Sequence, residues 1–306
     1  MLGGCGSVVV SRAFPAPLWA RSSLRPHRGA HLFGVLRLAF LRVDVCIGRC
    51  AIVKAVEGAA RTSVWLEGKA RRGGSGRGGQ PSGLDRDRIT EVSVRLLDAE
   101  GLAKFSMRRL AAELNVTAMS VYWYVDTKDD LLELALDAAC AELRLPDPDA
   151  QDEDWRDQLR TLAGEYRALL VRHPWASPLT GTYLNIGPHA QAFSIAVQRV
   201  IRRTGLPVRG QTGAIGAVFQ FVYGFGTIEG HFIARCTEAG MTQDAFFEQA
   251  MSAVGAAPEA AEFMQESADL MAARGGTTVE EMRERDFDFA LELLVAGIEA
   301  MVARAA

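Results

Sequence analysis

Apolar residues recur along most of this chain at the spacing of helices. Ile89, Val92, Leu96 and Leu97 share one face of a helix predicted over Asp87 to Glu100, and Gly101 stops it. A second helix is predicted over Met107 to Leu114, a third over Ala118 to Tyr124 and a fourth from Lys128 to about Arg144. The residues at their ends are of the right kinds. Ser106 and Thr117 can cap the second and third helices, Thr127 with Asp130 makes a capping box for the fourth, and Asn115 tolerates the left-handed backbone of a sharp helix end. Leu110, Leu114, Val116, Val121 and Val125 are the apolar positions that join the second helix to the third. After an acidic, proline-bearing hinge, PDPDAQDED, a helix runs from Trp155 to His173, where Pro174 ends it. Further helices are predicted at about 188–204, 209–236, 242–253, 258–273 and 278–304. No segment sustains strand alternation and there is no internal repeat, so the expected fold is all-α.

Two short helices joined by a tight turn, the second carrying three consecutive aromatics, have the layout of a helix-turn-helix DNA reader. With the apolar positions turned inward, Arg108, Met119, Ser120, Tyr122 and Trp123 face outward. Hydroxyls and arginine donate to phosphates, while methyl-bearing and aromatic groups pack on sugars and thymine methyls. The first domain is therefore read as an N-terminal three-helix helix-turn-helix domain with its connector, residues 84–145.

The stretch LDRDRITEVSVRLLDAEGLAKFSMRRLAAELNVTAMSVYWYVDTKDDLLELAL resembles the DNA-binding domain of the TetR family, the tetracycline-repressor-like transcription factors. The YWYV followed by a lysine three residues later is similar to the tetracycline-repressor branch. The resemblance implies operator contacts at Arg108 and Ser120 and at Tyr122, Trp123 and Tyr124, and a phosphate held by Lys128; Met119 is added to the expected contact face by its outward position alone. Ala118 and Met119 stand where the tetracycline repressors carry a base-reading amide and a proline, so a different operator is implied.

Charge divides the chain. The net of −3 conceals 13 Lys plus Arg against 3 Asp plus Glu in residues 1–80, and 21 against 34 in the rest. An acidic body does not attract DNA as a whole, so affinity must come from local basic residues: Arg86, Arg88, Arg95, Arg108, Arg109 and Lys128. Residues 1–80 are rich in Arg, Gly, Ser and Pro and end in RRGGSGRGGQPSG, a linker composition. They read either as a disordered basic arm or as an N-terminus assigned too far upstream. In the first case Arg71, Arg72 and Arg77 are placed to follow the minor groove. The apolar run from Leu32 to Ile52 is broken by Arg37, Arg42, Asp44 and Arg49, which makes a poor membrane span. The cysteines, Cys5, Cys46, Cys50, Cys140 and Cys236, are odd in number and lack metal-ligand spacing, so neither zinc nor a disulfide framework is supported.

Residues 154–306 read as a helical ligand-binding and dimerisation domain. Gly210 to Ile228 carries no charge and five glycines, which suits a buried helix better than a membrane span. The last helix carries Phe287, Ala290, Leu291, Leu294, Ile298 and Met301 on one stripe and Phe289, Leu293 and Gly297 on another, implying two packing partners. GAVFQFVYGFGTIEGHF and FDFALELLVAGIEAMV resemble the two dimer helices of the tetracycline-repressor C-terminal domain, which implies a homodimer with Phe221, Phe289, Leu293, Leu294, Gly297 and Ile298 at its interface. Two readers related by a twofold axis would demand a palindromic double-stranded operator with half-sites about 34–36 Å apart or a multiple of that.

Trp175, Tyr183, Phe193, Gln220, Tyr223, Glu229 and His231, with Phe219, have the composition of a small-molecule pocket, aromatic walls with a few polar groups. The tetracycline repressors hold a magnesium–drug chelate with a histidine and an arginine whose positions here are Tyr183 and Gly187. The effector implied is a bulky apolar metabolite or antibiotic, with no metal and no cofactor. Glu229 and His231 are two apart and share no helix face, and no phosphate loop, HExxH, nucleophile elbow or paired-cysteine motif is present, so catalysis is not expected. The function expected is a cytoplasmic bacterial regulator, a dimeric repressor released from DNA by a small hydrophobic molecule. An activator of the same fold, or a helical small-molecule-binding protein or enzyme without a DNA role, are the alternatives.

Overall fold

A computed structural model of the 306-residue chain describes residues 63–66, 84–147 and 152–305. Among them the regular structure is helical and no strand occurs. The reader comprises α1 (Arg86–Glu100), α2 (Met107–Glu113), α3 (Ala118–Tyr122) and the connector α4 (Lys128–Cys140). The second domain comprises α5 (Trp155–Arg172), α6 (Ala176–Thr180), α7 (Pro188–Arg202), α8 (Val208–Glu238), α9 (Gln243–Gly255), α10 (Ala261–Arg274, entered through a 3-10 turn) and α11 (Val279–Ala305). Residues 148–151 of the expected hinge, along with Cys5, Cys46, Cys50 and the arginines of the N-terminal arm, lie outside the described residues.

The ends of the reader helices follow from their capping chemistry. Ser106 and Thr117 accept from the amides of Arg109 and Ser120, and Thr127 and Asp130 close a reciprocal capping box. Asn115 takes φ 55° at the turn between α2 and α3 and Gly101 takes φ 76° after α1, the backbone that an amide side chain or glycine adopts most cheaply. Two helices end sooner than periodicity predicts. α3 stops at Tyr122 because Trp123 and Tyr124 enter a turn, the Tyr124 amide donating to Val121. α4 stops at Cys140, after which single tight turns carry the chain to Leu143 and it continues without regular structure.

Leu110, Val121 and Val125 are buried with Ile89, Val92 and Leu97 in one core beneath the reader. α4 packs on α1 and also on α6 and α7, and so joins the two domains. A second core lies among α5, α7, α8 and α11, built on Leu159, Leu162, Ile201, Val218, Phe287 and Ile298. α5 and α8 cross closely because Gly226 and Gly230 present no side chain: a Cβ on Gly230 would come within 2.9 Å of the Leu170 carbonyl. The uncharged stretch of α8 is buried on one side only: Ala214, Val218, Val222 and Gly226 enter the core, whereas Gly213, Ala217, Gln220 and Ile228 stay exposed, and among the described residues no helix is long and apolar enough to cross a membrane.

Candidate nucleic-acid interface and effector domain

The reader presents a small exposed surface on a rigid base. Trp123 is 83% and Met119 69% exposed, and Tyr122 and Arg108 are also open to solvent. Their helix is fixed by Val121, fully buried, so the face can approach DNA without being reshaped. Ser120 is half-buried and its hydroxyl shares a hydrogen bond of 2.9 Å with Thr117. Two residues assigned to the operator face turn inward. The Tyr124 ring packs against the reader core and its hydroxyl donates to the Leu84 carbonyl at 2.6 Å, which pins the start of α1 to the end of α3. The Lys128 ammonium donates to the Phe105 carbonyl at 2.8 Å and sits 5.6 Å from the Phe105 ring centre.

The local cations are fewer than the sequence suggests. Arg109 is bound by Glu100 (2.7 Å) and Glu113 (2.9 Å), which hold its guanidinium above its ordinary pKa, and Arg88 pairs with Glu91. Arg86 is buried, and burial lowers its pKa. Arg95 and Arg108 remain exposed, and among the described residues no ion pair engages either.

The pocket residues disperse. Trp175 is buried at the junction with the reader, where its indole donates to Asp98 of α1 at 2.6 Å. Asp98 also meets Nδ1 of the buried His173 at 2.6 Å, with Glu142 3.3 Å from the other ring nitrogen. Burial pulls the His173 pKa down, but the two carboxylates outweigh it and hold the value above 6.5. Glu229 is already engaged within the chain. It is buried and receives two hydrogen bonds from Arg167, at 2.7 and 3.0 Å, while Arg167 also reaches Glu284 and lies 4.5 Å over the Phe287 ring. A charged cleft of 630 Å³ between α5, α8 and α11 opens onto this pair. Gln220 and His231 are exposed on α8 and face away from the core.

Phe193 is found in an aromatic cluster that the sequence reading only half assembled. Its ring lies 5.4 Å from Tyr166 of α5 and 5.6 Å from Phe219 of α8, and Tyr166 lies 6.2 Å from Phe219. Burial pushes the Tyr166 phenol up. Tyr223 borders the region and donates to the Ser177 carbonyl at 2.9 Å, whereas Tyr183 lies over α4, its hydroxyl 3.4 Å from Asp129. Tyr166 and Arg167 were missed, although an arginine four residues after Ala163, on the apolar stripe of α5, is a signal of a buried partner.

The interface residues also divide. Ile298 is buried in the second core and Leu294 packs against it, while Phe221 stacks on Phe287 at 5.6 Å, so these three serve the chain's own core. Phe289 (69% exposed), Leu293 (60%), Gly297 and Met301 lie open on the other face of α11.

A helix-turn-helix reader whose connector is bolted to a larger helical domain defines a DNA-binding regulator of two-domain type. Residues 89–135 match the family of bacterial regulatory proteins described as the tetR family, and residues 147–302 match the tetracyclin repressor-like C-terminal domain. The chain belongs to the TetR family of transcription regulators. Over 165 residues, 54% of its length, it is 37% identical to an HTH-type transcriptional regulator of Saccharopolyspora erythraea and 39% identical to the HTH-type transcriptional repressor DrrR1 of Streptomyces coeruleorubidus. The match spans 68% and 60% of those two proteins. The fold resembles that of apo ActR from Streptomyces coelicolor, with a TM-score of 0.58 and 24% identity over 74% of this chain and 100% of that one. Proteins of this family bind DNA operators and small-molecule effectors and are dimeric, and the relatives are regulators, not enzymes.

Proposed function

We propose that this protein is a dimeric repressor that sits on a palindromic operator and is released by a small, largely apolar aromatic molecule. The observation that carries the reading is the exposed face of α2 and α3, where Trp123, Met119, Tyr122 and Arg108 stand on a buried scaffold with no partner in their own domain. Tyr124 and Lys128 hold that face in place, and a phosphate can use the remaining donors of the Lys128 ammonium.

Dimerisation is favoured by two open helix faces. On α11 the face is Phe289, Leu293, Gly297 and Met301. On α8, Gly213, Ala217, Gln220, Gly224 and Ile228 recur at helical spacing, and among the described residues a Cβ on Gly213, Gly224 or Gly297 would meet nothing within 4 Å. Glycine inside a helix costs about 1 kcal/mol relative to alanine. Close approach by the same helices of a second copy gives that cost a use. The interface group is accordingly Phe289, Leu293 and Gly297, with Gln220, His231 and Ile228 on α8.

For the effector, the Tyr166–Phe193–Phe219 cluster with Tyr223 at its edge is the apolar, aromatic site on offer. ActR, which shares the fold, has been captured in complex with actinorhodin and with (S)-DNPA. Repression then ends when the effector binds the DNA-incompetent arrangement more tightly than the competent one. The test is operator binding at controlled salt with DNase footprinting on the DNA upstream of the gene. A protected palindrome supports a dimeric repressor, and release by aromatic compounds that is lost in Phe193→Ala supports the effector site. Protection of a single unsymmetrical half-site would refute the dimeric reading.

A further inference from the structure

Four residues far upstream of the reader, Ser63–Leu66, are part of its fold. Ser63 is fully buried, and Val64 is buried in the same core as Ile89, Leu110 and Val121. One carboxylate holds both: the Ser63 hydroxyl donates to Glu133 Oε1 at 2.5 Å and the Val64 amide to Oε2 at 2.9 Å. Glu133 lies midway along α4 and is 3% exposed. A carboxylate so deep in an apolar region is tolerable only where donors meet it. The segment has a defined shape, because the Trp65 amide donates to the Ser63 hydroxyl and the Leu66 amide to the Ser63 carbonyl.

Four residues along α4, on the same helix face, Asp137 engages the second domain. It accepts from the amides of His189 (3.1 Å) and Ala190 (2.9 Å) at the start of α7, and also meets the His189 ring at 3.0 Å. Gly187 makes this approach possible, since a side chain there would collide with the Asp137 carboxylate. Trp65 closes a cleft of 590 Å³ against α1, α4 and the Pro188–His189 start of α7.

We propose that Ser63–Trp65 is an intramolecular strap whose receptor is Glu133, and that strap docking favours the operator-binding arrangement because strap and effector-domain helix α7 hold the same connector helix. α4 carries both carboxylates on one rigid rod, so displacement of the α7 terminus that Asp137 caps is transmitted to Glu133. Coupling of this kind is reciprocal: a strap that strengthens operator binding is itself held more firmly by operator. The coupling rests on the DNA-binding reading above, while the docking does not.

Hydrogen exchange of the full-length chain, read by mass spectrometry, tests the docking. The peptide bearing Ser63–Leu66 is expected to exchange at least about tenfold more slowly than an unstructured chain, and Ser63→Ala and Glu133→Ala to abolish most of that protection. Binding to a duplex selected from a random pool by the wild-type protein tests the coupling. Ser63→Ala, a mild change away from the exposed reader face, is expected to weaken it about fivefold or more, and the duplex to slow exchange of Ser63–Leu66. Random-coil exchange of the strap in the wild type would overturn the docking. Variants that lose strap protection yet bind the duplex as tightly as the wild type would overturn the coupling. A wild-type protein that selects no duplex would overturn both the operator reading and the coupling, while the exchange rate still decides the docking.

Discussion

Replacing Glu229 by glutamine separates a structural role for this residue from a role in effector binding. Glu229 and Arg167 face each other with side chains about nine-tenths buried, joined by two parallel hydrogen bonds, and they tie α5 to α8. The third partner, Glu284 on α11, is 60% exposed at its side chain. Removing one member of a buried pair leaves the other charge uncompensated, which costs about 3–5 kcal/mol, whereas a solvent-exposed pair contributes about 1 kcal/mol or less. Glutamine keeps one acceptor for Arg167, so Glu229→Gln should fall near the lower figure, about 3 kcal/mol, and Glu284→Gln should cost less than about 1 kcal/mol. With a urea slope of about 1–3 kcal/mol/M, the first change lowers the unfolding midpoint by about 1 M or more and the second by a few tenths. Protein concentration must be held fixed, since dimerisation feeds into apparent stability. Equal shifts for the two variants would refute the reasoning. An unchanged midpoint for Glu229→Gln, together with loss of effector response, would return Glu229 to the ligand site.

Trp123→Ala should weaken operator binding about tenfold without moving the thermal midpoint, because the exposed indole contributes little to the fold; equal binding by gel shift would remove Trp123 from the contact surface. Leu293→Glu with Phe289→Glu should leave folded monomers in sedimentation, whereas Ile298→Glu should unfold the chain by charging the second core. A dimer that survives the first pair would place the interface elsewhere. The His173 contact should be pH-dependent. A group whose folded pKa lies above its ordinary 6.5 stabilises fully below that value and loses its contribution as pH rises through the folded pKa. Between pH 6 and 8.5 the wild-type urea midpoint should therefore fall more than that of His173→Gln, and parallel profiles would show that the Asp98 contact does not depend on the proton.

The reader was legible because its information is local. Ser106, Asn115, Thr117 and the Thr127–Asp130 box each act within one turn of their own position, and the sequence names both partners of each contact. The helical character of the second domain was legible from its 3.6-residue periodicity for the same reason. The five-residue α6 was not, being shorter than any periodicity can reveal.

The sequence by itself determined the class of protein, the capped reader helices and the residue types on the exposed face of the reader. Tertiary structure decided which way amphipathic residues turn. Tyr124 and Lys128 carry polar tips on apolar stems and can serve either face; the Leu84 and Phe105 carbonyls, distant in sequence, draw both inward. Likewise only the folded chain brings Arg167 to Glu229 across 62 residues, assigns Ile298 to the core and Leu293 to the surface of one helix, and sets Ser63 against Glu133 across 70. Periodicity states that a helix has two apolar faces, but their partners lie on other elements, and which face is covered depends on how those elements pack.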